Sequence, residues 1–288
     1  MILQAKRSTN TADDADVECW WIRSNDGKCE QVATNLFAVM STSTREDKMN
    51  IGVIGIGGQG ETLARLLARL GHEVSISNSR GPQSMVATAA EIGATPVSVV
   101  EAARHSEIVI VAIPTKAVPD LPSDIFVGVP ESVIIVDTCN YHPQLRDGSI
   151  DAIDGGMLES EWVAQQVGRS VVKAFNNAFA TSIADKGKPA GSVGRIALSV
   201  AGDQPEAKST VLHLVDDLGF DPVDAGGLRE SWRQQTGAPA YCQDLDAAAL
   251  RRALARADYS QVAAYRAREE ARIKRSTAVE EAERSGSS

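Results

Sequence analysis

Gly55-Ile56-Gly57-Gly58-Gln59-Gly60 sets three glycines at the spacing G-x-G-x-x-G. Between a buried strand and a helix, that spacing is suited to the pyrophosphate of a dinucleotide. The first glycine permits a tight turn, the second lets main chain approach the phosphates, and the third lets the helix pack closely on the strand. The helix N-terminus then offers free N–H groups and the positive end of its dipole. About twenty residues on, an NAD site places a carboxylate to accept from the ribose 2′-hydroxyl. Here that place reads Ser77-Asn78-Ser79-Arg80. An acid there would repel a 2′-phosphate, whereas the Arg80 guanidinium attracts it and Asn78 and Ser79 add neutral donors. The pattern therefore selects NADP(H).

In open α/β sheets, ligands lie beyond the carboxyl ends of the strands. Three further segments occupy such ends: Ile113-Pro114-Thr115-Lys116, Asp137-Thr138-Cys139-Asn140-Tyr141-His142 and Lys173-Ala174-Phe175-Asn176-Asn177. Asn140 is either a ribose or carboxamide ligand or a turn residue. His142, Tyr141 and Lys173 are the candidate proton donors to a reduced carbonyl or imine, against the alternative of loop or solvated side chains. Cys139 has no sequence feature that would lower its thiol pKa and make it a nucleophile. Phe175 is a packing residue or a wall against the nicotinamide.

The elements that position these residues alternate. Ile51–Ile56 reads as a buried strand, and Leu63, Leu66, Leu67 and Leu70 share one face of the next helix. Glu73–Ser77 is a second strand; residues 83–92 are helical to Gly93, and Ala94–Val97 form a short third strand. Ser98 and Glu101 make a capping box that opens a helix over 99–104. Ile108–Ile113 is continuously apolar, as a parallel strand covered on both faces requires. Val133–Asp137, Ser170–Ala174, Ile196–Ala201 and 220–224 continue the strands, with helices at 175–185 and 205–218. The pattern predicts an α/β fold with a doubly wound parallel (Rossmann) sheet, a smaller C-terminal α/β portion and a helical C-terminus.

The expected organisation is an extension over 1–48, without periodicity and disordered, followed by an NADP-binding domain over 49–175. A smaller portion over 176–240 and helices over 241–288 complete it. The last helix, roughly 259–284, carries a thin apolar stripe, so it reads as solvated or as an oligomer contact.

The chain has 288 residues, 43% of them hydrophobic, enough for a sizeable core. Its formal charge of −9 argues against nucleic acid as a partner. No apolar run approaches bilayer length and no signal-peptide pattern is present, so neither a membrane nor secretion is expected. Four scattered cysteines (Cys19, Cys29, Cys139 and Cys242) read as reduced thiols in a cytoplasmic protein. Four histidines form no ligand spacing, so no metal is expected.

Taken together, the glycine motif with its flanking elements, the NSRGP segment after the second strand, VIVAIP, VDTCN and VVKAFNN make the chain resemble the coenzyme F-420-dependent NADP oxidoreductase family. The same architecture forms the reductase domain of six-transmembrane metalloreductases. The resemblance runs from about Asn50 to Asp224. It implies that Gly55–Gly60 hold the pyrophosphate, that Asn78, Ser79 and Arg80 take the 2′-phosphate, and that Pro114, Asn140 and Ala174–Asn176 line the nicotinamide. The implied activity is hydride exchange between NADPH and a deazaflavin or flavin co-substrate, in a chain that pairs as a homodimer. Thr115-Lys116 replaces a bulky aromatic of the relatives, Cys139 a hydroxyl residue and Tyr141 a proline, all on the acceptor side. The alternatives are an NADPH-dependent reductase of a small carbonyl or imine, and a non-catalytic NADP(H)-binding sensor or scaffold.

Overall fold

Continuous apolar runs need cover on both faces, and the computed structural model supplies it with a helix-flanked parallel sheet. Residues 20–23, 29–32 and 48–286 are described, with side chains over 48–278. The chain divides into two compact units, Met1–Asp47 and Lys48–Ser288. In the first, β1 (Trp20–Arg23) and β2 (Cys29–Val32) pair antiparallel, Trp20 opposite Val32. This corrects the expectation of no regular element there; the rest of the expected disorder lies outside the described residues.

The second unit contains β3 (Asn50–Ile54), β4 (Glu73–Ser77), β5 (Thr95–Pro96), β6 (Ile108–Val111), β7 (Ile134–Asp137) and β8 (Val172–Lys173). They form one parallel sheet in the order β5-β4-β3-β6-β7-β8. The chain reverses its direction of travel across the sheet between β3 and β6, which opens a crevice at their carboxyl ends. Helix α1 (Gly58–Arg69) buries Leu63, Ala64 and Leu67 against Ile51, Val53 and Ile76. Truncating one such leucine to alanine costs about 2–5 kcal/mol. Helix α2 (Val86–Ile92) ends at left-handed Gly93, and α3 (Val99–Arg104) begins with both halves of the Ser98–Glu101 capping box in place.

Beyond β8 the sheet continues with a change of direction. The main chain of Lys173 exchanges hydrogen bonds of 2.8 and 3.0 Å with Ala201, just after β9 (Ala197–Val200). This β9 pairs parallel with β10 (Asp221–Asp224). The boundary expected near 175 therefore falls inside one compact unit.

Two further differences have physical causes. The helix expected over 175–185 is confined to Ala180–Asp185, because Phe175 is left-handed at φ 62° and residues 176–177 are engaged elsewhere. It is α6, preceded by α4 (Asp151–Asp154) and α5 (Glu159–Val167) and followed by α7 (Pro205–Asp217) and α8 (Ala247–Arg256). Helices α4 and α5 lack an obvious sequence pattern: α5 buries polar Glu159 and Ser160.

The last helix, α9 (Val262–Gly286), is also not simply solvated. Arg266 and Glu270, one turn apart, are 9% and 1% exposed. Arg266 pairs with Glu159 at 2.8 Å and lies 4.8 Å from the Tyr141 ring centre, while Glu270 accepts from the Gln144 N–H at 2.9 Å. Removing one member of a buried pair leaves the other uncompensated. Arg266→Ala is therefore expected to lower unfolding stability by about 3–5 kcal/mol, read as a lower urea midpoint at unchanged slope. A shift no larger than that of an exposed arginine, such as Arg251, would contradict the packed position of α9.

Candidate active site

The glycine motif forms the turn between β3 and α1. Gly55 has φ 99°, and its N–H donates to Ser77 O at 2.8 Å, tying the turn to the end of β4. A Cβ on Gly60 would sit 1.9 Å from Gly55 O, so only glycine allows the helix this close to the strand. A Cβ on Gly57 would meet nothing within 4 Å, and Gly57 and Gly58 are exposed. As N-cap, Gly57 supplies no side-chain acceptor to the first turn of α1. The open cradle and unclaimed N–H groups fit an anionic pyrophosphate. Ile56 beside it is half-buried.

At the end of β4, Asn78 turns inward. Its Oδ1 accepts from Arg80 N at 2.9 Å and Ser84 Oγ at 3.2 Å, and its Nδ2 donates to Ser84 Oγ at 3.1 Å. Asn78 thus shapes the loop, and the sequence reading missed Ser84 as its latch. Ser79 and Arg80 are exposed, and the Arg80 guanidinium has no ion pair among the described residues. A free cation on this loop fits a 2′-phosphate.

The remaining strand ends converge through amides. Asn140 and Asn176 exchange bonds: Asn140 Nδ2 donates to Asn176 O at 3.1 Å, and Asn176 Nδ2 to Asn140 Oδ1 at 3.0 Å. Asn176 Nδ2 also donates to Gln234 O at 2.7 Å, while Gln234 Nε2 donates to Asn176 Oδ1 at 3.1 Å. Between them lie Ala174 and Phe175, both fully buried. Gln59, on the first turn of α1, donates to Phe175 O at 2.7 Å. A buried aromatic in the left-handed region is strained and persists only when its surroundings hold it. Here Gln59 and the Asn140–Asn176–Gln234 network do so. Ile113 and Pro114, half-buried, complete the rim; Ile113 Cγ2 would lie 2.6 Å from a Cβ on Gly55. Gln234, in a tight turn over 228–234, had no local sequence signal.

Of the candidate proton donors, Lys173 and Tyr141 have other partners, whereas the buried His142 Nδ1 has none among the described residues. Lys173 is fully buried and pairs with Asp137 at 3.1 Å, so it is not a solvated lysine. The Tyr141 hydroxyl bonds Gly148 O and Asp154 and accepts from Ile150 N, and burial raises its pKa. His142 is 9% exposed; burial, reinforced by the Arg146 charge, lowers its pKa to about 4. Burial likewise pushes the Cys139 thiol well up, which leaves it a poor nucleophile.

His142 carries a pH consequence. Its ordinary pKa of 6.5 applies to the unfolded chain, and its folded value is about 4. Between those values the unfolded chain binds the extra proton, so stability is complete above pH 6.5 and falls as pH drops toward 4. The contribution reaches about 3 kcal/mol. His142→Gln should flatten this limb; what remains combines His72, whose pKa burial also lowers, with Glu159, whose pKa burial raises and whose slope has the opposite sign. Urea unfolding at pH 7 and at about pH 4.5 measures it; parallel pH slopes for wild type and variant would refute the assignment.

A parallel sheet that reverses at a glycine turn, with a cation on the second strand's exit, defines a dinucleotide-binding oxidoreductase architecture. The model of the family described as NADP oxidoreductase, coenzyme F-420-dependent, matches residues 50–141. A hypothetical protein of Sinorhizobium meliloti, SMa0349, is 30% identical, with 71% of this chain and 96% of that chain covered at a TM-score of 0.57. A crystal structure from an Arthrobacter species, assigned as an F-420-dependent NADP reductase, is 25% identical, with 64% and 87% covered at a TM-score of 0.52. Escherichia coli YjhV is 54% identical over 65 residues, 23% of this chain; the match spans about half of YjhV, 47%. The chain belongs to the coenzyme F-420-dependent NADP oxidoreductase family. No helix among the described residues is long and apolar enough to cross a membrane.

Proposed function

We propose that the protein binds NADP(H) and exchanges a hydride between it and a deazaflavin or flavin. The observation that carries the cofactor choice is Arg80: an exposed guanidinium without an ion pair among the described residues, on a loop that lacks a carboxylate ligand for ribose. Gly57 leaves the space, α1 the N–H groups, and Asn78 with Ser84 the loop shape. When bound, the reduced nicotinamide supplies the hydride. The chain's own residues hold and align the rings: Asn140, Asn176 and Gln234 fix the strand-end loops, and Gln59 fixes Phe175.

The acceptor choice rests on the state of the candidate proton donors. Reduction of a carbonyl or imine needs a proton delivered to the developing oxyanion or amine. Lys173 and Tyr141 are committed within the fold, and burial keeps the His142 ring, whose Nδ1 has no partner among the described residues, neutral near neutral pH. Transfer between two ring systems needs mainly alignment, which this network supplies.

Fluorescence titration tests the cofactor. Arg80→Ala should weaken NADPH about 10- to 100-fold, the worth of a charge-assisted hydrogen bond, and leave NADH almost unchanged. NADPH oxidation is then followed with deazaflavin, FMN, ferric chelates and small carbonyls. Turnover with deazaflavin or flavin, retained in Tyr141→Phe and His142→Gln, is the expected result. Turnover with carbonyls alone would replace the acceptor, and tight binding without turnover would point to a sensor. No NADPH binding would remove the reading altogether.

A further inference from the structure

Residues 235–243, between the tight turn over 228–234 and Asp244, are largely buried yet thinly attached. Trp232 anchors one end: its ring centre lies 5.3 Å from that of Tyr259 and 4.5 Å from the Arg233 guanidinium. Asp244 anchors the other, accepting from Ser182 Oγ at 2.9 Å and pairing with Lys186 at 2.6 Å. Between the anchors the main-chain bonds are mostly local: Gln235 N to Trp232 O, Ala238 N to Gln235 O, and Tyr241 N to Ala238 O. Among the described residues, one main-chain bond ties the segment to a distant part of the chain, from Cys242 N to Asn177 O at 2.7 Å. Apart from the Tyr241 ring, its buried apolar groups are small, Ala238 and Ala240.

The closed form of this strap is costly in two ways. Of the three non-glycine residues with positive φ among the described residues, two are here, Cys242 at 51° and Asp244 at 48°. Such residues are strained and persist only where their surroundings hold them. The second cost is unpaired polarity. Ser231, Gln234, Gln235 and Thr236 are at most 2% exposed. Yet Ser231 Oγ, Gln234 Oε1, Gln235 Nε2 and Thr236 Oγ1 have no hydrogen-bond partner among the described residues. Buried polar groups left unpaired favour any state that pairs them. Strain and unpaired polarity on one thinly held segment favour its local opening.

The strap is bonded to the nicotinamide end. Gln234 binds Asn176, Asn176 binds Asn140, and Cys242 binds Asn177. At the phosphate end, Gly57 and Arg80 stay exposed.

Resting on the NADP(H) reading above, we propose that residues 235–243 are a gate for the nicotinamide half of the cofactor. The strap opens between its anchored ends to admit that half and closes over it. The carboxamide is uncharged and both donates and accepts, as the neutral hydroxyls and amides of the strap do.

Amide hydrogen exchange of the full chain, resolved to single residues, tests the gate without turnover. In the free protein, Cys242 N–H should exchange at least about tenfold faster than Ala197 N–H, which bonds Leu245 O at 2.8 Å just beyond the strap. Thr236→Val keeps the shape and removes the unpaired hydroxyl. It should slow Cys242 exchange about tenfold and leave Ala197 unchanged; Gln235→Leu repeats the comparison independently. Saturating NADP+ should slow Cys242 exchange, whereas adenosine 2′,5′-bisphosphate, with the 2′-phosphate and no nicotinamide, should not. Equal rates at Cys242 and Ala197 in the free protein overturn the gate. So does a Cys242 rate that neither variant slows, including one that both speed up, the mark of polar groups held by internal water. Equal protection of Cys242 by bound bisphosphate and bound NADP+ overturns it as well. If neither nucleotide binds, a Cys242 opening slowed by Thr236→Val would support the moving strap while removing the NADP(H) reading.

Discussion

Lys173 and Asp137 end neighbouring strands directly opposite one another in register, and neither side chain reaches solvent. Two buried charges are costly unless their hydrogen bonds are complete, and here they nearly are. The Lys173 ammonium also donates to Cys139 O; Asp137 accepts from Cys139 N at 2.8 Å and Ser160 Oγ at 2.8 Å. The pair thereby shapes the β7 exit loop and attaches it to α5. The main chain of Lys173 does the rest. It bridges to Ala201, which brings β9 and β10 alongside, and its carbonyl accepts from Gln234 at 3.3 Å. One residue thus joins the parallel sheet, the smaller C-terminal portion and the amide network that fixes Asn140.

The parallel sheet was legible because its determinants are local. Apolar runs such as Ile108–Val111 have no polar alternation to reconcile, and Ser98 with Glu101 encodes a helix start within four residues. The glycine motif was legible for the same reason: Gly55 and Gly60 answer to sterics within a single turn. Where contacts cross the chain, the reading failed. Gln59 meets Phe175 across 116 residues, and Gln234 meets Asn176 across 58. Neither glutamine stands out in its own segment. Asp137 and Lys173 did carry a signal, as single charges closing apolar runs on adjacent strands, but it becomes legible only once the strand order is known.

The C-terminal helix shows the same limit from the side of pattern. Periodicity arguments seek an apolar stripe, and α9 has almost none. Its buried face is instead Arg266 and Glu270, whose spacing of four is right but whose chemistry is wrong for that rule. The face is buried because it meets charge and main-chain donors, Glu159 and Gln144, rather than a greasy surface. Gly237 allows the helix backbone within contact: a Cβ there would sit 2.2 Å from Tyr265 O. A polar interface of this kind cannot be inferred until both sides are known.

These structural roles also limit the chemistry. A side chain cannot brace a loop through its proton and still deliver that proton to a substrate without loosening the loop. Tyr141 holds Asp154 and the 148–150 turn, and Lys173 holds the β7 exit. His142 sits where its charged form is disfavoured through the neutral pH range. Burial raises the Tyr141 pKa and keeps the His142 ring neutral, so neither is poised to give up a proton near neutral pH. What the strand ends retain is a set of neutral amides in fixed geometry, which can orient rings and select their faces but cannot change their protonation. Of the groups at these strand ends, the amides are the ones whose role does not depend on gaining or losing a proton, so their contribution is to fix geometry.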